Sequence, residues 1–170
     1  MPDESASWHR PAFYRRNDMN IVELLDYSAV EANIDAESKD ELLEEMTDVL
    51  LRSAPALDRD QVLSVLQERE RLGSTGIGDG VAIPHGKIAD IQQMHLAFGR
   101  SVKGVDFDSM DGKAAHLFFL LIAPEESISA HLKTLARISK LLKKEHVRKQ
   151  LLEAENAELI YTIICTEDSA

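Results

Sequence analysis

The sequence predicts a single α/β domain in which helices cover both faces of a β-sheet. Three observations support this fold class. The segment from Ala115 to Ala123 is apolar at nearly every position, which is typical of an interior strand with both faces covered. Segments with helical spacing and N-terminal caps lie before and after it. The length of 170 residues suits one domain with a sizeable core.

The N-terminal half contains two capped helices. Ser38 with Glu41 forms a capping box, and the apolar residues that follow at helical spacing predict a helix over 38–52. Asp58 is a similar cap for a second predicted helix over 58–73, which stops at a glycine.

Residues 1–18 have no clean periodicity and are predicted to form a mobile extension in front of a domain over 19–166. The alternative is an ordered arm that docks through Trp8 and Phe13, because aromatic side chains favour burial. The next segments are predicted as a short helix and a strand, over 20–25 and 29–34.

The C-terminal half is predicted to alternate strands and helices. Residues 94–100 alternate larger and smaller side chains, which predicts a strand with one buried face. Ser127 or Ser129 caps a helix that runs to about Lys143. Its inner stripe is predicted to consist of Ile128, Leu132, Leu135, Ser139 and Leu142. Residues 103–113 are predicted as a loop. Two further helices are predicted over 145–152 and 156–164, and residues 167–170 as a C-terminal tail.

A glycine-rich stretch from Arg69 to Lys87 joins the two halves. Four glycines within eight residues predict a tight loop, because glycine adopts positive φ and lets the backbone pass close to a ligand. Residues 81–83 form a short strand candidate, and Pro84 cannot donate to a ladder, so His85 is predicted at a strand end. A histidine supported in this way suits proton or phosphoryl chemistry.

The other histidines differ in their surroundings. His95 and His116 lie on predicted strands, where a packed and hydrogen-bonded ring is expected. No special role is expected for His9 or His146. His131 falls in the first turn of a predicted helix, where the backbone N–H groups favour an anion and disfavour a charged imidazole. A neutral His131 there suits either a structural role or a hydrogen bond to a phosphoryl oxygen.

Arg69 adds a positive charge to the glycine-rich stretch. In helical projection it lies on the apolar stripe of the second helix, where an arginine needs a partner. One interpretation is a buried salt bridge, and the other is bidentate binding of phosphate oxygens. The hydroxyls of Ser74 and Thr75 add polar groups, and their combination with Arg69, His85 and His131 predicts an oxyanion site around a nucleophilic imidazole.

Charge and composition exclude several classes of function. The formal net charge of −11 disfavours nucleic acid and anionic membranes as partners and favours a protein with a cationic surface. The single cysteine, Cys165, permits no intrachain disulfide and is predicted as a buried structural thiol. Membrane-spanning and signal-peptide patterns are absent, so a soluble, cytoplasmic protein is expected. The glycine spacing fits neither the P-loop nor the G-x-G-x-x-G motif, so nucleotide binding is not expected.

The stretch from Arg69 to Lys87 resembles the active-site signature of the enzyme IIA domains of the bacterial phosphoenolpyruvate phosphotransferase system, mannitol/fructose class. The similarity continues through three further segments, 105–112, 117–124 and 130–135, and covers nearly everything from Asn20 onwards. The Gly73-Ser74 start, with no sugar-permease segment attached, is most similar to the nitrogen-regulatory branch.

This resemblance implies that His85 is phosphorylated by an HPr-type phosphocarrier, at Nε2, with Arg69 and His131 at two further active-site positions. The hydroxyl-bearing glycine loop itself predicts a phosphoryl-binding loop, formed by Ser74, Thr75 and Gly76. The implied fold is a mixed five-stranded sheet with helices on both faces, and the implied site holds no metal and no cofactor. The expected output is regulation, through downstream target proteins.

The chain departs from the family pattern in its N-terminal extension and at Asp79, where an uncharged asparagine is frequent. A carboxylate beside a phosphohistidine would repel it, so Asp79 is predicted to point outwards. Two alternatives remain open: a sugar-specific enzyme IIA that passes phosphate to a separate permease component, and an interaction module that carries no phosphate. A metal site at His85 and His131 ranks last, because no close ligand pair accompanies them.

Overall fold

The computed structural model describes residues 20–168, and the predicted extension over 1–18 lies outside the described residues. The described part consists of six helices and six strands, in the order α1 (Ile21–Leu24), β1 (Leu25–Glu31), α2 (Lys39–Ser53), α3 (Arg59–Arg71), β2 (Gly76–Gly78), β3 (Val81–Ala82), β4 (His85–Ile88), β5 (His95–Val105), β6 (Ala115–Pro124), α4 (Ile128–Lys143), α5 (Glu145–Glu153) and α6 (Ala157–Asp168). The two capped helices of the N-terminal half are confirmed, with Ser38 and Asp58 as their N-caps.

The sheet is mixed, with the antiparallel pair β5 and β6 at its centre. On one side β1 runs parallel to β5, and on the other side β3 and β4 both run parallel to β6. Because Val81 lies opposite Leu117 and His85 lies opposite Leu121, β3 and β4 follow one another along the same edge of β6. The sheet therefore has five positions across, completed by β2 beside β3, and the predicted five-stranded mixed sheet is confirmed.

Two hydrophobic clusters cover the two faces of the sheet, as predicted. The first packs α1, α4, α5 and α6 against one face, and it includes Phe98 and Phe119, whose ring centroids are 4.9 Å apart. The second packs α2 and α3 against the other face, around Phe107 and Phe118. None of the helices in the described part of the chain has the length and hydrophobicity that a membrane crossing requires.

Strand β5 differs from its prediction in length and in burial. It continues to Val105, past the predicted end at residue 100, and its residues 96–101 are buried on both faces. The small residues in the alternation mark close packing rather than solvent exposure. A Cβ at Gly99 would lie 2.5 Å from Sδ of Met46 on α2, so a larger residue there would force the Met46 side chain to move.

Helix α4 is rotated relative to the predicted inner stripe. Ile128 and Leu132 are 56% and 61% exposed, whereas His131, Thr134 and Ile138 belong to the buried face. The helix begins directly after Ser127, whose side chain makes no capping hydrogen bond. The prediction of Ile128 and Leu132 as core residues is therefore wrong, and both lie on the surface.

The glycine-rich stretch forms a β-hairpin, not the irregular loop that its glycines predicted. Strands β2 and β3 pair antiparallel, with Gly76 opposite Ala82. Asp79 and Gly80 form the turn, with φ angles of 56° and 76°. An Asp-Gly pair with positive φ at both positions is typical of a two-residue hairpin turn. This dipeptide could therefore have predicted the hairpin from the sequence.

The two ends of the domain also differ in detail from the sequence analysis. Strand β1 begins at Leu25, four residues before the predicted strand, and helix α6 extends to Asp168, into the segment predicted as a tail. Asp168 is buried, and its carboxylate binds Nε of Arg137 at 2.6 Å and the backbone N–H of Val22 at 3.2 Å. The last turn of α6 is thus joined to the first element of the domain.

Candidate functional site

A pocket of about 550 Å³ lies where α3, β4 and α4 meet. The end of α3 contributes Arg69 and Leu72 to its wall. Strand β4 contributes His85 and Lys87, and the first turn of α4 contributes His131. The structure therefore brings together the three residues that the sequence predicted as the catalytic group, and adds a lysine.

His85 is the first residue of β4 and is half-buried. Its Nδ1 lies 2.7 Å from the carbonyl oxygen of Ile83. Because a carbonyl oxygen only accepts hydrogen bonds, Nδ1 carries the proton and Nε2 of the neutral ring has a free lone pair. Burial lowers the pKa of His85 below its ordinary value of 6.5, and repulsion by Arg69 and Lys87 lowers it further. The ring is therefore neutral at pH 7.

His131 lies against His85, with ring centroids 5.3 Å apart and an angle of 72° between the planes. Only 3% of the residue is exposed. Burial lowers the pKa of His131 to about 4, with smaller contributions from repulsion by His85 and Lys87. His131 is therefore neutral at pH 7, and its buried Nδ1 has no hydrogen-bond partner within residues 20–168.

Arg69 lies in the last turn of α3 and is half-buried. Its Nη1 donates a hydrogen bond of 2.9 Å to the carbonyl oxygen of Gly73, and no carboxylate of residues 20–168 forms an ion pair with it. Across the described residues the predicted alternative, a buried salt bridge, is therefore not formed. The remaining donors of the guanidinium are available to an anion in the pocket.

Gly86 explains how closely α3 approaches β4. A Cβ at this position would lie 2.9 Å from Cγ2 of Val65 on α3, so any other residue would push the helix away. Gly86 directly follows His85 on β4. Its physical role in the structure is to bring the end of α3, and with it Arg69, next to the imidazole.

Lys87 was not selected from the sequence, although it lines the pocket and is exposed. Alternate residues of a strand point to the same side, so Lys87 lies on the same face of β4 as His85. The shared face of His85 and Lys87 can be predicted only when residues 85–88 are recognised as a strand. The predicted strand ended at Pro84, so β4 was missed.

The predicted phosphoryl-binding loop is not supported by the geometry. Oγ of Ser74 donates to the carbonyl oxygen of Phe107 at 2.5 Å and accepts from the N–H of Gly76 at 3.0 Å. The hydroxyl of Thr75 donates to the carboxylate of Glu70. Ser74, Thr75 and Gly76 do not line the pocket, because these polar groups already hold the start of the hairpin together.

The other residues singled out in the sequence lie away from this pocket. His116 is packed and hydrogen-bonded as predicted, with Nδ1 2.9 Å from the carbonyl oxygen of Ser101. Asp79 is exposed at the hairpin turn. Cys165 is half-buried, not fully buried as predicted. No group of three or more His, Cys, Asp or Glu side chains in residues 20–168 is arranged to hold a metal ion.

Comparison with known proteins agrees with this architecture. Residues 23–166 match the family model described as "Phosphoenolpyruvate-dependent sugar phosphotransferase system, EIIA 2". A nitrogen regulatory protein of Bradyrhizobium diazoefficiens is 38% identical over 148 residues, which cover 86% of this chain and 95% of that protein. The fructose-specific EIIABC component of Bacillus subtilis is 43% identical over 150 residues, or 88% of this chain, but the chain spans only 24% of that longer protein.

Among solved structures, the nitrogen regulatory protein IIA-Ntr from Neisseria meningitidis superposes with a TM-score of 0.79 at 37% identity. The match covers 85% of this chain and 98% of that chain. IIA mannitol from Escherichia coli has the same fold, with a TM-score of 0.70 at 20% identity. With the family model matched over nearly the whole described domain, the chain belongs to the EIIA 2 family of the phosphoenolpyruvate-dependent sugar phosphotransferase system.

Proposed function

We propose that this protein is a phosphohistidine carrier that accepts a phosphoryl group on Nε2 of His85 from an HPr-type phosphocarrier. The observation that carries the proposal is the pocket that His85 shares with the cations Arg69 and Lys87, together with the 2.7 Å hydrogen bond from Nδ1 of His85 to the carbonyl oxygen of Ile83. This bond holds the neutral ring in the tautomer whose Nε2 is nucleophilic. The lowered pKa of His85 keeps that lone pair unprotonated at neutral pH.

In the transfer step, Nε2 of His85 attacks the phosphorus of a phosphohistidine on the carrier, in line with the P–N bond that breaks. A new P–N bond forms on Nε2, and the carrier ring keeps the electron pair of the old one. The carrier ring enters protonated on its second nitrogen and leaves neutral. His85 keeps the proton on Nδ1 and takes up the positive charge, which the carbonyl of Ile83 stabilises.

The surrounding residues stabilise the phosphoryl oxygens. Arg69 and Lys87 place two positive charges at the pocket, and the planar guanidinium suits two phosphoryl oxygens at once. His131, neutral because its pKa is about 4, donates its ring N–H to a third oxygen. Catalysis comes from positioning and from electrostatic stabilisation of the transferring group, without a metal or cofactor in the step.

An apolar rim beside the pocket supports docking of a protein donor. Leu72, Ile128 and Leu132 form this rim, and they are 84%, 56% and 61% exposed. Leu72 and Leu132 also line the pocket itself. Exposed apolar groups clustered around a polar site favour a protein partner that covers them, which suits a carrier protein better than a small-molecule phosphate donor.

We further propose that the main output is regulatory, through target proteins that distinguish the phosphorylated from the unphosphorylated form, in the cytoplasm. The support is that the chain aligns with 95% of the Bradyrhizobium nitrogen regulatory protein and with 98% of the Neisseria one. These relatives are similar to this chain over almost their whole length.

The test is intact-protein mass spectrometry after incubation with phosphoenolpyruvate, enzyme I and an HPr-type carrier. We expect one acid-labile phosphate on the wild type and none on His85→Ala. Phosphate on His85→Ala, or none on the wild type while the carrier itself is charged, would refute the proposal. The second outcome would favour an interaction module that carries no phosphate.

A second candidate function is transfer from His85 to a cysteine of a separate sugar-specific permease component. The 43% identity to the EIIA-containing fructose-specific component of Bacillus subtilis favours it. Incubation of the phosphorylated protein with a purified fructose-type IIB domain discriminates the two outputs. Rapid and complete loss of phosphate to that domain would support the sugar-specific function over the regulatory one.

A further inference from the structure

The carboxylate of Glu70 is a buried charged group that the transfer step does not use. Glu70 lies one residue after Arg69, and only 6% of its side chain is exposed. The carboxylate accepts a hydrogen bond from the backbone N–H of Thr75 at 3.2 Å and another from the Thr75 hydroxyl. Lys39, at the start of α2, pairs with it at 2.7 Å. A buried carboxylate is stable only with such partners.

Thr75 connects this carboxylate to the pocket. The carbonyl oxygen of Thr75 accepts a hydrogen bond of 3.0 Å from the backbone N–H of Ile83. The carbonyl oxygen of Ile83 in turn accepts the 2.7 Å hydrogen bond from Nδ1 of His85. An unbroken series of hydrogen bonds therefore leads from Glu70 through Thr75 and Ile83 to the imidazole.

The neighbouring elements hold the same segment in place. Ser74 donates to the carbonyl oxygen of Phe107, and Nζ of Lys39 lies 4.7 Å from the centroid of the Phe107 ring. The start of α2, the end of α3 and the loop at Phe107 thus meet at residues 74–75. Glu70 is the group that contacts both Lys39 and Thr75, so loss of its charge would break the ion pair with Lys39 and weaken both hydrogen bonds from Thr75.

We propose that Glu70 is a positioning residue for phosphoryl transfer, which fixes the orientation and tautomer of His85 through Thr75 and Ile83. This role rests on the proposed function of His85. Glu70 does not line the pocket, and it reaches His85 in two ways: through the backbone, and through its negative charge, which raises the pKa of His85. The Thr75 hydroxyl, which the sequence analysis assigned to phosphoryl binding, serves this network instead.

The experiment compares wild type with Glu70→Gln, Thr75→Val and the control Glu45→Gln. Glu45 is a matched control, because its carboxylate also binds backbone N–H groups, those of Asp35 and Ala36, but it holds a different loop. Nitrogen-15 NMR of the histidine rings reports the tautomer of His85 in the free protein. The phosphate acceptance rate is measured with the same charged carrier, and thermal unfolding shows that each variant is folded.

We expect wild type and Glu45→Gln to have the Nδ1–H tautomer of His85 and equal acceptance rates. Glu70→Gln and Thr75→Val should have mixed tautomers and rates at least about tenfold lower, since a misplaced nucleophile loses its near-attack geometry. Unchanged tautomers in both variants would overturn the positioning role, whatever the rates. The NMR measurement needs no phosphate, so it tests this role even if the wild type accepts none and the proposed function fails.

Discussion

His85 and His116 have the same local hydrogen bond in two different pockets. In each ring Nδ1 binds a backbone carbonyl oxygen, at 2.7 Å in His85 and at 2.9 Å in His116. Each histidine is half-buried on a strand of the same sheet. The tautomer that exposes Nε2 is therefore common to both, and it cannot by itself distinguish an acceptor of phosphate from a structural histidine.

The charges around the two rings differ in sign. Two cations and one carboxylate line the His85 pocket, namely Arg69, Lys87 and Glu68. Two carboxylates and one cation line the pocket at His116, namely Asp79, Asp111 and Lys113. A phosphoryl group carries negative charge, so the first pocket attracts it and the second repels it.

The space around the rings differs as well. A Cβ at Gly104 would lie 3.0 Å from Nε2 of His116, so the backbone of Gly104 packs against the nitrogen that would have to react. Next to His85, the glycine at position 86 instead makes room for α3. We infer that pocket charge and access to Nε2, in addition to the shared tautomer, make His85 rather than His116 the acceptor of phosphate.

The largest expected effect comes from exchanging the two histidines for alanine. His85→Ala should abolish phosphate incorporation, whereas His116→Ala should retain the wild-type stoichiometry of one phosphate. Intact-mass spectrometry with the charged carrier measures both. Phosphate that persists on His85→Ala and disappears on His116→Ala would reverse the comparison.

Arg69→Ala should lower the rate of phosphate acceptance by about two orders of magnitude, the typical cost of removing one preorganised donor to a developing negative charge. Arg69→Lys should lie in between, because lysine keeps the charge but loses the planar pair of donors. Arg71→Ala is the control, since Arg71 is exposed on the same helix and outside the pocket. Rapid-quench kinetics measures the rates, and equal rates for Arg69→Ala and Arg71→Ala would contradict a role for Arg69.

The pH dependence of stability should show the burial of His131. Its pKa is about 4 in the folded protein and 6.5 in the unfolded chain, so the unfolded chain binds the extra proton between these pH values. The free energy of unfolding should therefore fall as the pH drops from 6.5 to 4, by up to about 3 kcal/mol at 1.36 kcal/mol per unit. Urea unfolding of wild type and His131→Asn measures the difference, and an identical pH dependence would contradict this pKa.

Lys87→Gln should have the smallest effect, a fall of a few fold in the acceptance rate, because Lys87 is exposed and its charge is screened by solvent. The pKa values of His85 and His131 should both rise, since Lys87 lowers each of them. Lys113→Gln, in the pocket at His116, is the control and should leave the rate unchanged. Histidine NMR titration checks the direction, and a lower pKa for His131 in Lys87→Gln would be the contrary result.

Much of the fold could be predicted from local sequence patterns. The caps at Ser38 and Asp58 predicted α2 and α3, and the apolar run from Ala115 predicted the central strand β6. These signals depend on short-range chemistry, namely capping hydrogen bonds and side-chain spacing. The errors in β5 and α4 came from non-local packing. In β5, the small Gly99 was predicted on an open face, but Met46 lies over it. In α4, the apolar Ile128 was predicted in the core, but it is exposed.

The site was readable in part. Arg69, His85 and His131 were identified from residue type, spacing and resemblance, and the structure places them in one pocket. Lys87 was missed because its relation to His85 depends on β4, and the predicted strand ended at Pro84. The phosphoryl-binding role of Ser74 and Thr75 stays a prediction, and in the fold their hydroxyls bind Phe107 and Glu70, because a hydroxyl in sequence does not reveal its partner.

The sequence by itself determined the family, the helices with local caps and the buried central strand, because each of these depends on residues close together in the chain. Only the tertiary structure decided the tautomer of His85, the lowered pKa of His131 and the internal use of the Thr75 hydroxyl. These properties arise from contacts between segments far apart in the chain. Desolvation and hydrogen-bond partners exist only once the chain has packed, so the chemistry of the site is set by the fold.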